Sequence, residues 1–385
     1  MIKNKVSEEV SEVSEERIVK LFCELVSKDS PSFGEKDVCG CLKEKLEALG
    51  YAPEEDHSGE QTGGNAGNLY LYIEGTGEKS ALPPLLFCAH MDTVEPSCGK
   101  QAVVHPGGKI TSAGDTVLGA DDVSGLTAIL EALTVLQEKK LSHRPIEILF
   151  SAAEEPYCAG IQPFDFQKLR SKEAYVLDLT GPVGGAALAA PTLLSFSMEF
   201  RGVSAHAGFA PEKGIHAIKA ACRAANVIKC GHVDADTTVN IGTITGGKGD
   251  NIVPEECTVT GEVRSFDDGR ALEVTDEIKK IAHDAAKETG AKVKFTSIRH
   301  ITAYSVPEQS PVVQRFVRVC GREDLPVSLS RTHGGSDNNV LALHGITGIV
   351  LATAMNNCHS CGEYTSVEEL VWISRLIVRL MISAD

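Results

Sequence analysis

No apolar run in this sequence approaches the roughly 18 residues that a membrane-spanning helix requires, so none is expected. The N-terminal stretch MIKNKVSEEVSEVSEERIVK is charged throughout and lacks the apolar core of a secretory signal. The expected location is therefore the cytoplasm. Positive charge is also in deficit: 37 Lys and Arg face 53 Asp and Glu, for a formal net charge of −16. Phosphate backbones and anionic lipid surfaces are bound by clustered Lys and Arg, so neither nucleic acid nor a membrane is an expected partner. The 12 cysteines show no regular framework and read as reduced, mostly buried side chains. Cys358-His359-Ser360-Cys361 has C-x-x-C spacing, but no second pair completes a structural zinc site. Cys39 and Cys41 fall in a helical stretch and are expected to be structural. Internal repeats and low-complexity segments are absent.

What remains is an ordinary globular composition, 42% hydrophobic and 23% charged, over 385 residues. That length suggests two domains. Residues 14–50 carry helical spacing (Ile18, Leu21, Phe22, Leu25, then Val38, Leu42, Leu46), broken at 29–34 and closed by Gly50. Strands are expected at 68–75, 84–90, 146–152 and 174–178, with the second and third apolar enough to be buried on both faces. A helix is expected over 123–139, and the Gly-rich stretch 56–67 reads as a loop. Apolar strands alternating with helices indicate an α/β domain with a mainly parallel sheet.

Near residue 190 the pattern changes. Alternating strands at 193–202, 238–247, 257–266 and 291–300 enclose helices at 216–227 and 273–289. That order, β-α-β-β-α-β, is ferredoxin-like. The α/β pattern then returns, with helices at 310–321 and 337–344 and an apolar strand from Thr347. The expected architecture is a catalytic domain, 1–190 and 303–385, interrupted by a smaller α+β domain, 191–302.

Acidic and His residues cluster at element ends. His90 and Asp92 follow one buried strand, and Glu154 and Glu155 follow another. Asp121 and Asp122 open a helix after a Gly-rich turn, and Asp178 ends a strand. In parallel α/β sheets, ligands bind beyond the carboxyl ends of the strands. Imidazole and carboxylate together suit zinc or a similar divalent ion. A metal pair needs a bridging carboxylate, and a further carboxylate must stay off the metals to act as a base. Glu154 and Glu155 could divide coordination and proton transfer between them. Each feature taken singly has a plainer reading: a helix N-cap for Asp-Asp, a solvated charge for Glu-Glu, a structural His after a strand.

The ordered strings His90-Met-Asp92, Gly119-Ala-Asp121-Asp122, Glu154-Glu155, Asp178 and His359-Ser-Cys-Gly-Glu363 resemble the signature of the M20 metallopeptidases. The subgroup they resemble is peptidase T-like. The likeness runs from about residue 16 to the C-terminus, and in the inserted domain it includes Gly202-Val-Ser-Ala-His206-Ala-Gly and Asp250-Asn-Ile-Val-Pro254. The resemblance implies two divalent metals, zinc first, with cobalt and manganese suiting the same ligands. It implies that His90 and Asp178 hold one metal, Glu155 and His359 the other, and that Asp121 bridges them. Glu154 would be the general base, and Asp92 would orient His90. The Asp121–Asp122 peptide would be cis. The inserted domain would be a dimerisation (lid) domain, through which His206 reaches across a homodimer to the oxyanion. Asn251 and Arg264 would line the substrate region.

One place departs from that pattern. Tripeptidases carry an Arg before the Gly-Gly of the string His333-Gly-Gly-Ser-Asp-Asn-Asn, and that Arg is held to bind the peptide's terminal carboxylate. Here His333 stands there, with Arg331 two residues earlier. A His cannot make the bidentate Arg–carboxylate pair. The expected activity is amide hydrolysis on small peptides, as an aminopeptidase or tripeptidase-like exopeptidase. The alternatives are an N-acyl amino acid deacylase or carboxypeptidase with the same chemistry, and a non-catalytic peptide-binding protein. The intact Glu154-Glu155 pair counts against the last.

Overall fold

The computed structural model describes residues 13–384. Its chain contacts divide it into two units. One runs through Leu188 and resumes at Ser305–Thr332 and Ser336–Asp385; the other is Ala189–Tyr304 with His333–Gly335.

The first unit is built on a mainly parallel sheet. Its main strands lie in the order Glu54–Glu55, Leu69–Ile73, Ile146–Ser151, Leu85–His90, Glu173–Thr180, Thr347–Met355, Gly185–Ala190. Leu85–His90 pairs in parallel with both Ile146–Ser151 and Glu173–Thr180, and Thr347–Met355 continues the parallel run. Leu69–Ile73 and Gly185–Ala190 flank this run antiparallel. Every residue of Leu85–His90 and of Ile146–Ser151 is buried, as their largely apolar character predicts.

Helices cover the sheet. Glu15–Val26 begins at Ser14, whose side chain accepts the Arg17 N–H, and Glu15 and Glu16 complement the positive end of the helix. Its buried face is Ile18, Leu21, Phe22 and Leu25. Ala120–Lys139 packs against it and against the strands. A C-terminal helix not anticipated above, Val367–Met381, packs on both of these helices. Its signals were present: Ser366 caps the Glu369 N–H, and Leu370, Ile373, Ile377 and Leu380 repeat at helical spacing. The stretch 56–67, expected as loop, contains the short helix Ser58–Thr62. A small sheet joins Tyr364–Ser366 to the hairpin of Lys109–Ser112 and Ala102–Val104, and so anchors the segment just after Glu363.

The second unit is an antiparallel sheet in the order Gly231–His232, Thr237–Gly246, Glu256–Ser265, Thr192–Arg201, Lys292–Ile301. Helices Ala217–Val227 and Asp268–Thr289 pack on it. Leu194, Phe196, Met198 and Phe200 alternate into a core with Val259, Val263, Ala220, Ala224 and Ile278. The order of elements is the ferredoxin-like one. Asp268–Thr289 starts a full turn before the expected residue 273, because the Asp267 side chain caps the Arg270 N–H. Among the described residues, no helix is long and apolar enough to cross a membrane.

Candidate metal centre

His90 is the last residue of its strand and stands in register with Ser151, the last of the next. Asp178 lies near the end of the strand on the other side. These neighbouring carboxyl ends form one rim, and the loops that leave them carry the remaining groups.

The adjacent aspartates at 121 and 122 have opposite tasks. Asp122 Oδ1 accepts the Gly125 N–H at 3.0 Å and Oδ2 accepts the His90 N–H at 3.2 Å, so it caps the helix and ties it to the strand end. Asp121 has non-helical backbone angles, and the peptide between the two is cis. Its carboxylate faces two imidazoles: Oδ1 lies 3.0 Å from His90 Nε2 and Oδ2 lies 3.2 Å from His359 Nε2. His359 Nε2 is also 3.2 Å from Glu155 Oε2, and His90 Nε2 is 3.9 Å from Asp178 Oδ1. Two groups that could hold a metal therefore share Asp121: His90, Asp121, Asp178 and Asp121, Glu155, His359.

The donor chemistry fits cations there. His90 Nδ1 lies 3.0 Å from the Asp92 carbonyl oxygen, which can only accept, so Nδ1 carries the ring proton. His90 Nε2 faces the Asp121 carboxylate, and a proton or a metal must lie between them. Glu155 Oε1 is buried with no hydrogen-bond partner. Burial, then the charge of Glu154, pushes Asp178 well above the ordinary carboxylate range, and burial does the same to Glu154. Burial would raise Asp121 as well, but hydrogen bonds from His359 and His90 outweigh it and hold Asp121 low. Two divalent cations would neutralise this crowd of buried carboxylates.

The turn 152–155, which carries Glu154 and Glu155, is held by side chains from three distant segments. Asn68 Oδ1 accepts the Ala152 N–H at 3.1 Å, and Glu35 Oε1 accepts the Ala153 N–H at 3.0 Å. Asp92 accepts the N–H groups of Glu154 and Glu155 at 2.9 and 3.2 Å. Asp92 thus reaches His90 chiefly through its carbonyl, its carboxylate Oδ1 being 3.3 Å away, and spends its carboxylate on this turn. Glu363 works likewise on the opposite loop, accepting the N–H groups of Gly119 at 2.7 Å and Asp121 at 3.0 Å. Glu35, Asn68 and Glu363 carry roles that the sequence alone did not suggest, whereas Asp122 takes the helix N-cap place open to an Asp-Asp pair. Of these three, only Glu363, the end of the His359 string, carried a signal of its own.

The other expected residues lie in the second unit. His206 pairs with Ile252 across a two-residue bridge, and the Ala207 N–H donates to the Asn251 carbonyl. His206 Nδ1 accepts the N–H groups of Gly208 and Phe209 at 3.1 and 3.2 Å, which puts the proton of the neutral ring on Nε2. Arg264 is paired with Glu262 on its own strand and donates to the His333 carbonyl at 2.7 Å. All cysteines of the described residues are free, including Cys358 and Cys361.

An α/β scaffold whose strand ends gather two histidines and several carboxylates around one shared aspartate is that of a metal-dependent hydrolase. Residues 188–290 match the M20 peptidase dimerisation domain, and residues 68–192 match peptidase family M28. The chain is 34% identical to protein YqjE of Bacillus subtilis, over 96% of this chain and 98% of that one. The crystal structure of aminopeptidase PepT from Bacillus cereus is similar, with 35% identity, 96% and 98% coverage and a TM-score of 0.89. A Staphylococcus aureus tripeptidase has 30% identity, the same coverage and a TM-score of 0.92. The chain belongs to the peptidase T-like group of the M20 metallopeptidases, and it is a hydrolase of peptide bonds.

Proposed function

We propose that the protein is a zinc-dependent exopeptidase of small peptides, aminopeptidase- or tripeptidase-like, with two cations in its centre. His90 and Asp178 would hold one, Glu155 and His359 the other, and Asp121 both. The bound pair would supply a Lewis acid and lower the pKa of the attacking water. Glu154 is the general base: it takes a proton from that water and returns it to the leaving amine. Asp92 fixes the His90 tautomer through its carbonyl and aims Glu154 through the backbone of the turn. His206, with its proton on Nε2, is a ready donor to the oxyanion. We place the catalytic domain at 1–190 and 303–385 and the dimerisation domain at 191–302. His206 reaches the centre across a homodimer, and Asn251, Arg264 and His333 line the substrate region. The cytoplasm is the proposed location.

The observation that carries this reading is a pair of ligand groups sharing Asp121, with Glu154 left over beside them. The deciding experiment is Glu154→Gln. Turnover should fall by roughly 10²–10⁴ with bound metal unchanged; near-wild-type turnover would remove Glu154 from the mechanism. A second reading, an N-acyl amino acid deacylase, is favoured by His333 in place of the tripeptidase Arg. Tripeptides assayed beside N-acetyl amino acids separate the two.

A further inference from the structure

One buried cluster at this end of the sheet holds two side chains that the proposed reaction leaves unused, Cys158 and Asp337. Glu154, Cys158 and Asp337 each offer a ligand atom within 4.8 Å of the others, and all three are buried. Cys158 Sγ donates to Glu154 Oε1 at 3.4 Å. Asp337 Oδ2 accepts the Ser151 hydroxyl and, at 3.7 Å, the Cys88 thiol. Asp337 Oδ1 accepts nothing, although the residue is only 1% exposed. An unsatisfied carboxylate oxygen in the interior calls for a cation or a donor. A thiolate with two carboxylates is a donor set that suits zinc or cobalt, and it is softer than either group sharing Asp121.

We propose that Glu154, Cys158 and Asp337 form a third, inhibitory site for a thiophilic divalent cation, filled after the catalytic pair, which removes Glu154 from proton transfer. The inference rests on Glu154 being the base. On binding, the Cys158 S–H bond breaks, its proton leaves to solvent and a sulfur–metal bond forms. No electrons are transferred, and the two carboxylates complete the ligand set. The order of filling follows from the donor sets: binding here must expel a thiol proton, whereas the groups sharing Asp121 contain no thiol.

The test is a Co²⁺ titration of the metal-stripped full chain, read by absorption and by turnover of a tripeptide. The first two equivalents should restore turnover without a thiolate-to-cobalt charge-transfer band. Excess cobalt should add that band and lower turnover several-fold. Cys158→Ser should lose the band and hold the ratio of turnover at excess cobalt to turnover at two equivalents near one. Asp337→Asn, which keeps the thiol, should move band and inhibition to higher cobalt. No band at excess cobalt, a band of undiminished strength in Cys158→Ser, or undiminished inhibition in that variant would each overturn the site. The exposed Cys98, Cys222, Cys230 and Cys361 would keep their bands in Cys158→Ser, so they cannot mimic the expected result. Absence of turnover at two equivalents would instead count against the proposed function, while the band still reports on the third site.

Discussion

Glu35 gives the sharpest separation of positioning from stability. It is fully buried, and its Oε1 accepts the N–H groups of Phe33 at 2.7 Å and Ala153 at 3.0 Å, while Oε2 has no partner. Burial, and then the charge of Asp92, raises its carboxyl from the ordinary 4.5 to about 7. The sign follows directly. Below pH 4.5 folded and unfolded chains both hold the proton, and the group is neutral to stability. Between 4.5 and about 7 the native chain holds a proton that the unfolded chain has lost, so stability falls as pH rises. Above that window the full effect, roughly 3 kcal/mol, weighs against the fold. Glu35→Gln keeps a carbonyl oxygen for both N–H groups and never ionises. In the metal-stripped chain it should match the wild type in Tm at pH 4 and exceed it by several degrees at pH 8. Its kcat should stay within a few-fold of wild type. Glu35→Leu also removes the charge but strands two N–H groups, at about 1–3 kcal/mol each. It also frees the turn that aims Glu154, and a misplacement of about 1 Å can cost a factor of ~100. Its kcat should fall at least about tenfold with KM little changed. Differential scanning calorimetry at the two pH values, with steady-state kinetics on the metal-loaded chain, decides the matter. A Gln variant with no Tm advantage at pH 8, or a Leu variant with wild-type kcat, would refute this reasoning.

Two further outcomes are expected. Glu363→Gln replaces one acceptor oxygen with an NH2 that faces the N–H of Gly119 or Asp121, so metal affinity, measured by chelator competition, should weaken about 10–100-fold. Gly160→Ala would place a Cβ 1.8 Å from the Ala152 carbonyl oxygen, beneath the turn itself. That variant should lose at least about 3 kcal/mol of stability or fail to accumulate in soluble form, as measured by denaturant unfolding or soluble yield.

What was readable along the chain was whatever is encoded within a few residues. Largely apolar runs announced the buried strands at 85–90 and 146–151, and helical spacing announced 15–26. The mainly parallel sheet followed, because such strands need cover on both faces. The helix Val367–Met381 is encoded by equally local signals, the Ser366 cap and the apolar spacing from Leu370 to Leu380. Function was legible through ordered strings resembling a family, since single carboxylates and histidines have plainer explanations.

Tertiary structure decided what each member of a pair does. Asp121 and Asp122 are the same residue type side by side, and only the backbone turn sends one to the imidazoles and the other to the helix N-terminus. Glu154 and Glu155 differ likewise: Glu155 faces His359, and Glu154 faces Cys158. The cradle of Asn68, Glu35 and Asp92 around the turn 152–155 had no counterpart in any short string. Side-chain acceptors reach those N–H groups from residues 62 to 118 positions away. That distance is why the ligand types could be named from the order of residues, while the polar contacts that aim them emerged only once the strand ends were side by side.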